Sequence, residues 1–369
     1  MIRAANISVP LDFDFSRLKE LCSERLGIDK SRIKSVKLSK KSVDARKKLD
    51  VHFVISVDIV AEDEDRLIKR LKNVSRVEKN EYAVPRVPAS SERPVIIGFG
   101  PAGMFAALVL ALAGARPIVL ERGLDVDRRV RAVERFEREG VLDTECNVQF
   151  GEGGAGTFSD GKLTTGIKDR RIGWIFERLA EFGAPEEILY LAKPHIGTDV
   201  LVTVVENIRN EILSLGGEVR FGVRLAGLIF EEQNMPRREG QSGNGEAGVP
   251  AEPKHEAGPK HDAETGSMDP EIPAEAPVWG TLRGIRVRDA QTESTLPCRQ
   301  VILAIGHSAR DTFEILHGQG VPMERKPFAM GVRIEHRQAD IDSAQYGKPR
   351  GLLPPADYSL HVHLPDGTG

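Results

Sequence analysis

The stretch Val95-Ile96-Ile97-Gly98-Phe99-Gly100-Pro101-Ala102-Gly103, running into the apolar segment Met104–Ala113, constrains this chain more than any other part of it. A short run of branched aliphatic residues reads as a buried strand, and glycines in the order G-x-G-x-x-G read as a tight turn opening a helix. In such a unit Gly98 permits the turn, Gly100 lets the backbone approach a pyrophosphate, and Gly103 lets the helix pack on the strand. Pro101 and Ala102 fall in the first helical turn, where free N–H groups and the positive end of the helix dipole face an anion. A second apolar strand, Arg116–Leu120, ends in Glu121, near the ~20-residue interval at which a carboxylate accepts hydrogen bonds from ribose hydroxyls. The expected fold class is α/β, a Rossmann-like unit built on a parallel sheet.

Residues 1–84 read as a separate small α+β domain. Ile2–Val9 suits a strand, and Phe15, Leu18, Cys22 and Leu26 form a helical stripe that Gly27 stops. Val36 and Leu38 alternate with charge, and Val51, Phe53, Ile55, Val57 and Ile59 alternate strictly. A short helix with Leu67, Ile68 and Leu71 and a last strand over Val74–Tyr82 complete β-α-β-β-α-β, the order of a ferredoxin-like fold. Residues 30–48, placed between its second and third strands, carry nine basic residues, open to an RNA or acidic protein partner or to a plain solvated hairpin.

A proline-rich linker covers residues 85–94, and the nucleotide domain then extends over 95–320. Within it, residues 233–277 contain no aromatic side chain and repeat Pro, Gly, Glu and Lys, so they read as a disordered insertion whose His255 and His261 are not metal ligands. Thr198 is placed to cap a helix carrying Val204, Val205, Ile208 and Ile212, and Arg299–Gly306 reads as a parallel strand buried on both faces. The segment Gly151-Glu152-Gly153-Gly154-Ala155-Gly156 repeats the glycine spacing, but no helical stripe follows it. It is better suited, with the hydroxyls of Thr157 and Ser159, to lie against a flat ring or a phosphate, or else to be a plain surface loop.

Composition narrows the function classes. With 52 Lys+Arg against 55 Asp+Glu the formal charge is −3, which excludes binding nucleic acid or membrane through global charge. Three distant cysteines supply neither a C-x-x-C pair nor a disulfide framework, and no metal set is expected. Without a run of the ~20 apolar residues that span a bilayer, the chain is expected to be soluble and cytoplasmic, with no membrane partner.

Taken together, Gly98, Gly100, Gly103, Glu121-Arg122-Gly123 and the strand end Ala304-Ile305-Gly306 resemble the two-dinucleotide-binding-domain flavoproteins. In more detail, Asn147–Leu163, Lys193–Asp199 and Lys326–His336 resemble a bacterial family of uncharacterised FAD-dependent dehydrogenases that carries a basic ferredoxin-like N-terminal domain. The resemblance implies FAD, held by Glu121 at the adenosine ribose and by the Gly98–Gly103 turn at the pyrophosphate. It places Gly153, Gly154, Ala155, Gly156, Thr157 and Ser159 against the flavin and the backbone near Leu225 at adenine. Arg122 and Ala304–Gly306 belong to the same site, and Arg129 either meets a phosphate or is a surface charge. Because Tyr358–Leu364 alternate as a strand with none returning, residues 321–369 are expected to be only the start of a β-rich substrate domain.

The reaction implied is hydride transfer between the flavin and a small organic substrate. His195, in a Gly/Pro-rich loop, is the candidate proton donor or else a structural histidine, and Cys146 and His307 are weaker candidates for a covalent flavin link. Two other readings stay open: an NAD(P)-dependent dehydrogenase using Gly98–Gly103, and a non-catalytic nucleotide-binding protein whose basic N-terminal domain binds RNA or a protein.

Overall fold

The computed structural model of the chain describes residues 1–77, 82–88, 90–158, 161, 163, 167–231, 280–324, 334–347, 351 and 353–358. The expected insertion at 233–277, the alternating run after Tyr358 and Ser159 lie outside the described residues.

The N-terminal part is built from β1 (Ile2–Val9), α1 (Leu18–Leu26), β2 (Ile33–Asp44), β3 (His52–Ala61), α2 (Glu64–Arg70) and β4 (Val74–Arg76). Its sheet is antiparallel throughout, in the order β2-β3-β1-β4. Alternation sends Ile2, Phe53, Ile55 and Ile59 to one face, where they pack with Leu18, Cys22 and Leu26 of α1. Gly27 ends α1 in the left-handed conformation at φ 60°.

The basic stretch differs from the expectation. It is not a loop between strands, since most of it is the edge strand β2, anchored by Ile33, Val36 and Leu38 on the core. Lysines on an edge strand discourage pairing with other chains. Lys30 pairs with Glu20, Arg32 with Glu62 and Asp63, and Arg46 with Asp44, while the Lys41 ammonium sits 4.2 Å from the Phe53 ring centre. The Lys41 N–H donates to Tyr190 O at 2.7 Å and the Ala192 N–H to Lys41 O at 2.9 Å, so backbone bonds join this sheet to the rest of the chain.

The second part contains β5 (Val95–Ile97), α3 (Pro101–Ala113), β6 (Ile118–Glu121), α4 (Val126–Glu139), α5 (Arg171–Glu181), α6 (Thr198–Ser214) and β7 (Glu218–Phe221). It continues through β8 (Arg224–Phe230), β9 (Leu282–Arg288), β10 (Glu293–Pro297), β11 (Val301–Leu303) and α7 (Arg310–Gly318), and α8 (Gln338–Tyr346) follows. Four strands form a parallel sheet in the order β11-β5-β6-β7. Alternation divides its side chains between two cores. Ile96 and Val119 face α3 and α6, while Val95, Ile97, Ile118 and Leu120 face the antiparallel sheet β10-β9-β8 and Leu316 of α7.

Two expectations change here. Thr198 is the first residue of α6 rather than its cap, a position taken by Gly197. The strand β11 stands, among the described residues, at the end of the strand order rather than inside it, with Ile302 and Leu303 39% and 41% exposed. Among the described residues, no helix is long and apolar enough to cross a membrane.

Candidate cofactor site

The parallel strands β5, β6 and β11 end together, and a cavity of about 770 Å3 opens beyond their C-terminal ends. That is where ligands sit in sheets of this kind, and the volume falls in the range of cofactor sites. Sequence positions more than 200 residues apart meet there: Gly98, Gly100, Pro101 and Ala102 from the first turn, Glu121 at the end of β6 with Arg122 after it, and Ala304, Ile305 and Gly306 after β11. Gly154, Ala155, Gly156 and Leu225 complete the set of expected residues in the lining.

The glycines differ in what each position requires. Gly98 has φ 97°, and a Cβ there would stand 2.4 Å from Ala304 O, so the Ala304–Gly306 strand end closes directly on the turn. A Cβ on Gly103 would lie 1.9 Å from Gly98 O, which is the helix-on-strand contact expected of the third glycine. Gly100 has an ordinary φ of −74°, and among the described residues a Cβ there would meet only Gly154 Cα, at 3.6 Å. Its requirement for glycine comes from the space above it, which opens into the cavity at the N-terminus of α3. The residues therefore fit a dinucleotide pyrophosphate: a positive helix end, an uncovered backbone and a cavity of sufficient size.

The second glycine segment closes on the first. Gly153 donates its N–H to Phe99 O at 2.9 Å, and Gly154, at φ 64°, would place a Cβ 2.8 Å from Gly100 Cα. Thr157 is turned away from the cavity. It is buried, its hydroxyl occupies the space a side chain on Gly153 would need, and the hydroxyl has no hydrogen-bond partner among the described residues. Gly153 and Thr157 thus support the loop from behind, and Gly154–Gly156 present its backbone to the cavity.

Glu121 lines the cavity but is already engaged. Its Oε2 accepts the Phe99 N–H at 2.8 Å, and its Oε1 accepts those of Gly123 and Gly151, each at 2.9 Å. One carboxylate joins the nucleotide turn, the end of β6 and the second glycine segment. A carboxylate offers about four lone-pair positions, so capacity remains for a ribose hydroxyl.

Arg129 is neither a surface charge nor a phosphate ligand. Its guanidinium is fully buried and donates to the carbonyls of Asn147 (3.0 Å), Val148 (3.1 Å), Gly151 (3.3 Å) and Glu152 (2.5 Å), stacking over Phe158 at 4.6 Å. Burial lowers its pKa to about 10, opposed by Glu121, Cys146 and Glu152. A sequence signal for this exists, since Arg129 lies on the same helical stripe as the buried Val126 and Val133.

Arg122 belongs to a charge network that sequence spacing could not reveal. It bonds Glu145 and Asp311, with nitrogen–oxygen distances of 3.0 Å to each, and Arg224 reaches the same Asp311 at 2.9 Å. Its guanidinium also lies 4.2 Å from the Phe150 ring centre, at the cavity wall.

His195 is not brought to this cavity. It is exposed beside Ile196, whose N–H bonds Gly161 O at 3.0 Å, and the histidine in the lining is His307. Cys146 is buried outside the lining, and burial pushes its thiol pKa up, which disfavours the thiolate a covalent link needs.

Comparison with known proteins adds to this geometry. Residues 327–369 match the family "FAD-dependent protein, C-terminal domain-like", and residues 1–60 match "Domain of unknown function (DUF8436)". The first match supports FAD as the cofactor. An uncharacterized protein of Clostridium beijerinckii is 40% identical over 97% of this chain, and the chain spans only 59% of that relative's length. Among solved structures, Thermovibrio ammonificans THI4 is similar at TM-score 0.34 and 16% identity, over 63% of this chain and 64% of its own. The 3-ketosteroid-delta4-(5alpha)-dehydrogenase of Rhodococcus jostii RHA1 is similar at TM-score 0.30 and 14% identity, over 60% of this chain and 48% of its own.

Proposed function

We propose that this chain binds FAD in the cavity at the ends of β5, β6 and β11 and serves an FAD-dependent oxidoreductase acting on a small organic substrate. The observation that carries the reading is the convergence of three remote segments, Gly98–Gly103, Gly151–Gly156 and Ala304–Gly306, around one helix N-terminus. Bound FAD would supply hydride acceptance and donation at its ring system. The chain's own residues bind and orient. The Gly98–Gly103 turn and the N-terminus of α3 receive the pyrophosphate, Glu121 has capacity for a ribose hydroxyl, and Leu225 offers its backbone to the adenine. Gly154–Gly156 bring backbone against the flat part of the cofactor.

We read the N-terminal sheet and its two helices as a ferredoxin-like domain, with domain limits at 1–84, 95–320 and 321–369. Its basic stretch stays a candidate contact for RNA or an acidic protein, and a salt-dependent RNA affinity would support the former.

The test is the visible absorption spectrum of the purified protein, before and after FAD is added to the apo form. A flavin spectrum that stays with the protein through gel filtration is expected. A nicotinamide dinucleotide that binds where FAD does not would replace the reading with that of an NAD(P)-dependent enzyme.

A further inference from the structure

The glycine loop contains one buried side chain that cofactor contact leaves unexplained. Glu152 is fully buried. Its Oε2 accepts the backbone N–H of Val126, the first residue of α4, at 2.8 Å, and a guanidinium N–H of Arg209 from α6 at 2.6 Å. Its Oε1 is buried and has no hydrogen-bond partner among the described residues. On the chain's next residue, the Gly153 N–H bonds Phe99 O inside the nucleotide turn, and Gly154 abuts Gly100. Glu152 is thus where α4, α6 and the cofactor turn are fastened together.

The charges around it come from both helices. Arg129 of α4 donates to the Glu152 carbonyl and Asp125 caps that helix, while Arg209 and Glu206 face it from α6. An ionised carboxylate with one oxygen shut away from water and from donors is expensive, whereas the neutral acid is tolerated. A pyrophosphate at the N-terminus of α3 would add negative charge on the other side of the same loop.

We propose that Glu152 is a positioning residue for the cofactor, setting the glycine loop against the Gly98–Gly103 turn, and that it takes up a proton when the anionic dinucleotide binds. This rests on the FAD reading above. Burial raises the Glu152 pKa to about 7, with Asp125 and Glu206 acting in the same direction and the Val126 N–H and Arg209 against it. The linkage therefore falls in a measurable range.

The experiment titrates FAD into the apo protein by calorimetry, in buffers of different ionisation enthalpy, from about pH 5.5 to about pH 8.5. Proton uptake near neutral pH and an affinity about tenfold weaker at the alkaline end are expected, equivalent to a pKa rise of about one on binding. Glu152→Gln should still bind FAD, with the proton uptake and the pH dependence gone. Arg209→Gln should move the midpoint of the pH dependence upward, because it removes the cation that favours the ionised form. The same proton uptake in Glu152→Gln would assign the titration to another group and overturn the proposal. So would an unmoved midpoint in Arg209→Gln, should the first variant fail to fold. Absence of FAD binding by the wild type at every pH would instead overturn the functional reading, and the inference with it. Binding without proton exchange would overturn the inference alone.

Discussion

The backbone N–H of Phe99 reaches the carboxylate of Glu121 at 2.8 Å, so the acid expected to meet a ribose is also the tie between β6 and the middle of the nucleotide turn. Replacing Glu121 by Gln leaves one acceptor oxygen where three backbone N–H groups converge and places an amide N–H against them. Each buried donor left without its acceptor costs about 1–3 kcal/mol. Glu121→Gln should therefore lower the melting temperature of the apo protein as well as its FAD affinity. An apo melting curve that superimposes on the wild type would show that these bonds add nothing to the fold.

Gly100 and Gly154 touch, yet they should fail in different ways. A side chain on Gly100 meets no strain, at φ −74°, and enters the cavity, so Gly100→Val should fold normally and lose FAD binding. Gly154 sits at φ 64° with no room for a Cβ beside Gly100, so Gly154→Val should lower stability by about 1–3 kcal/mol through backbone strain alone. Thermal melts and FAD titrations of both variants separate the two effects. A Gly100→Val protein that keeps its full FAD content would remove the pyrophosphate from this turn.

The parts legible in the sequence are those written in local periodicity. Val95–Gly103 announces strand, turn and helix within one window, and the alternation of Phe53, Ile55 and Ile59 announces a half-buried strand. What stayed hidden depends on partners far along the chain. Arg122 meets Asp311 across 189 positions, and β11 stands next to β5 rather than beside a strand near it in sequence. Arg129 is hard to place for a different reason. A charged residue in the polar sequence of α4 suggests solvent, and only its stripe with Val126 and Val133 hints at burial. The inward turn of Thr157 follows from Gly153 lacking a side chain, which spacing alone does not disclose.

Removing Arg129 should be among the most damaging single changes. Its guanidinium holds the carbonyls of Asn147, Val148, Gly151 and Glu152, and Arg129→Met fills much of the same volume without any donor. Unfastening that many buried carbonyls should cost about 3–5 kcal/mol, the scale for breaking a buried charged network. Urea denaturation checks this, and a midpoint within error of the wild type would contradict the burial.

The segment between β8 and β9 should be dispensable. Phe230 pairs with Leu282, and the Glu231 N–H donates to Thr281 O at 2.8 Å, so the strands are already registered where residues 232–279 depart and return. Loop length enters stability only logarithmically, at about 0.6 kcal/mol per doubling. Deleting residues 235–275 should leave the melting temperature and the FAD affinity nearly unchanged. A large fall in either would show that the segment packs on the domain or reaches the cofactor.

The stability of the apo protein should carry the signature of Glu152. Its pKa in the folded chain, about 7, lies above the ordinary value of 4.5, so the native state binds the proton more tightly than the unfolded one. In the window between those two values the folded state holds more protons, and stability must fall as pH rises. The contribution is fully present below about pH 4.5 and lost above about pH 7, amounting to a loss on the order of 3 kcal/mol. Glu152→Gln cannot ionise, so its stability should stay level across this window and exceed that of the wild type at about pH 8, if the amide also replaces the bond to Val126. Urea denaturation of both proteins at about pH 5, about pH 6.5 and about pH 8 reads the difference directly. Parallel slopes for the two would place the titration on other groups and leave Glu152 ionised in the native state.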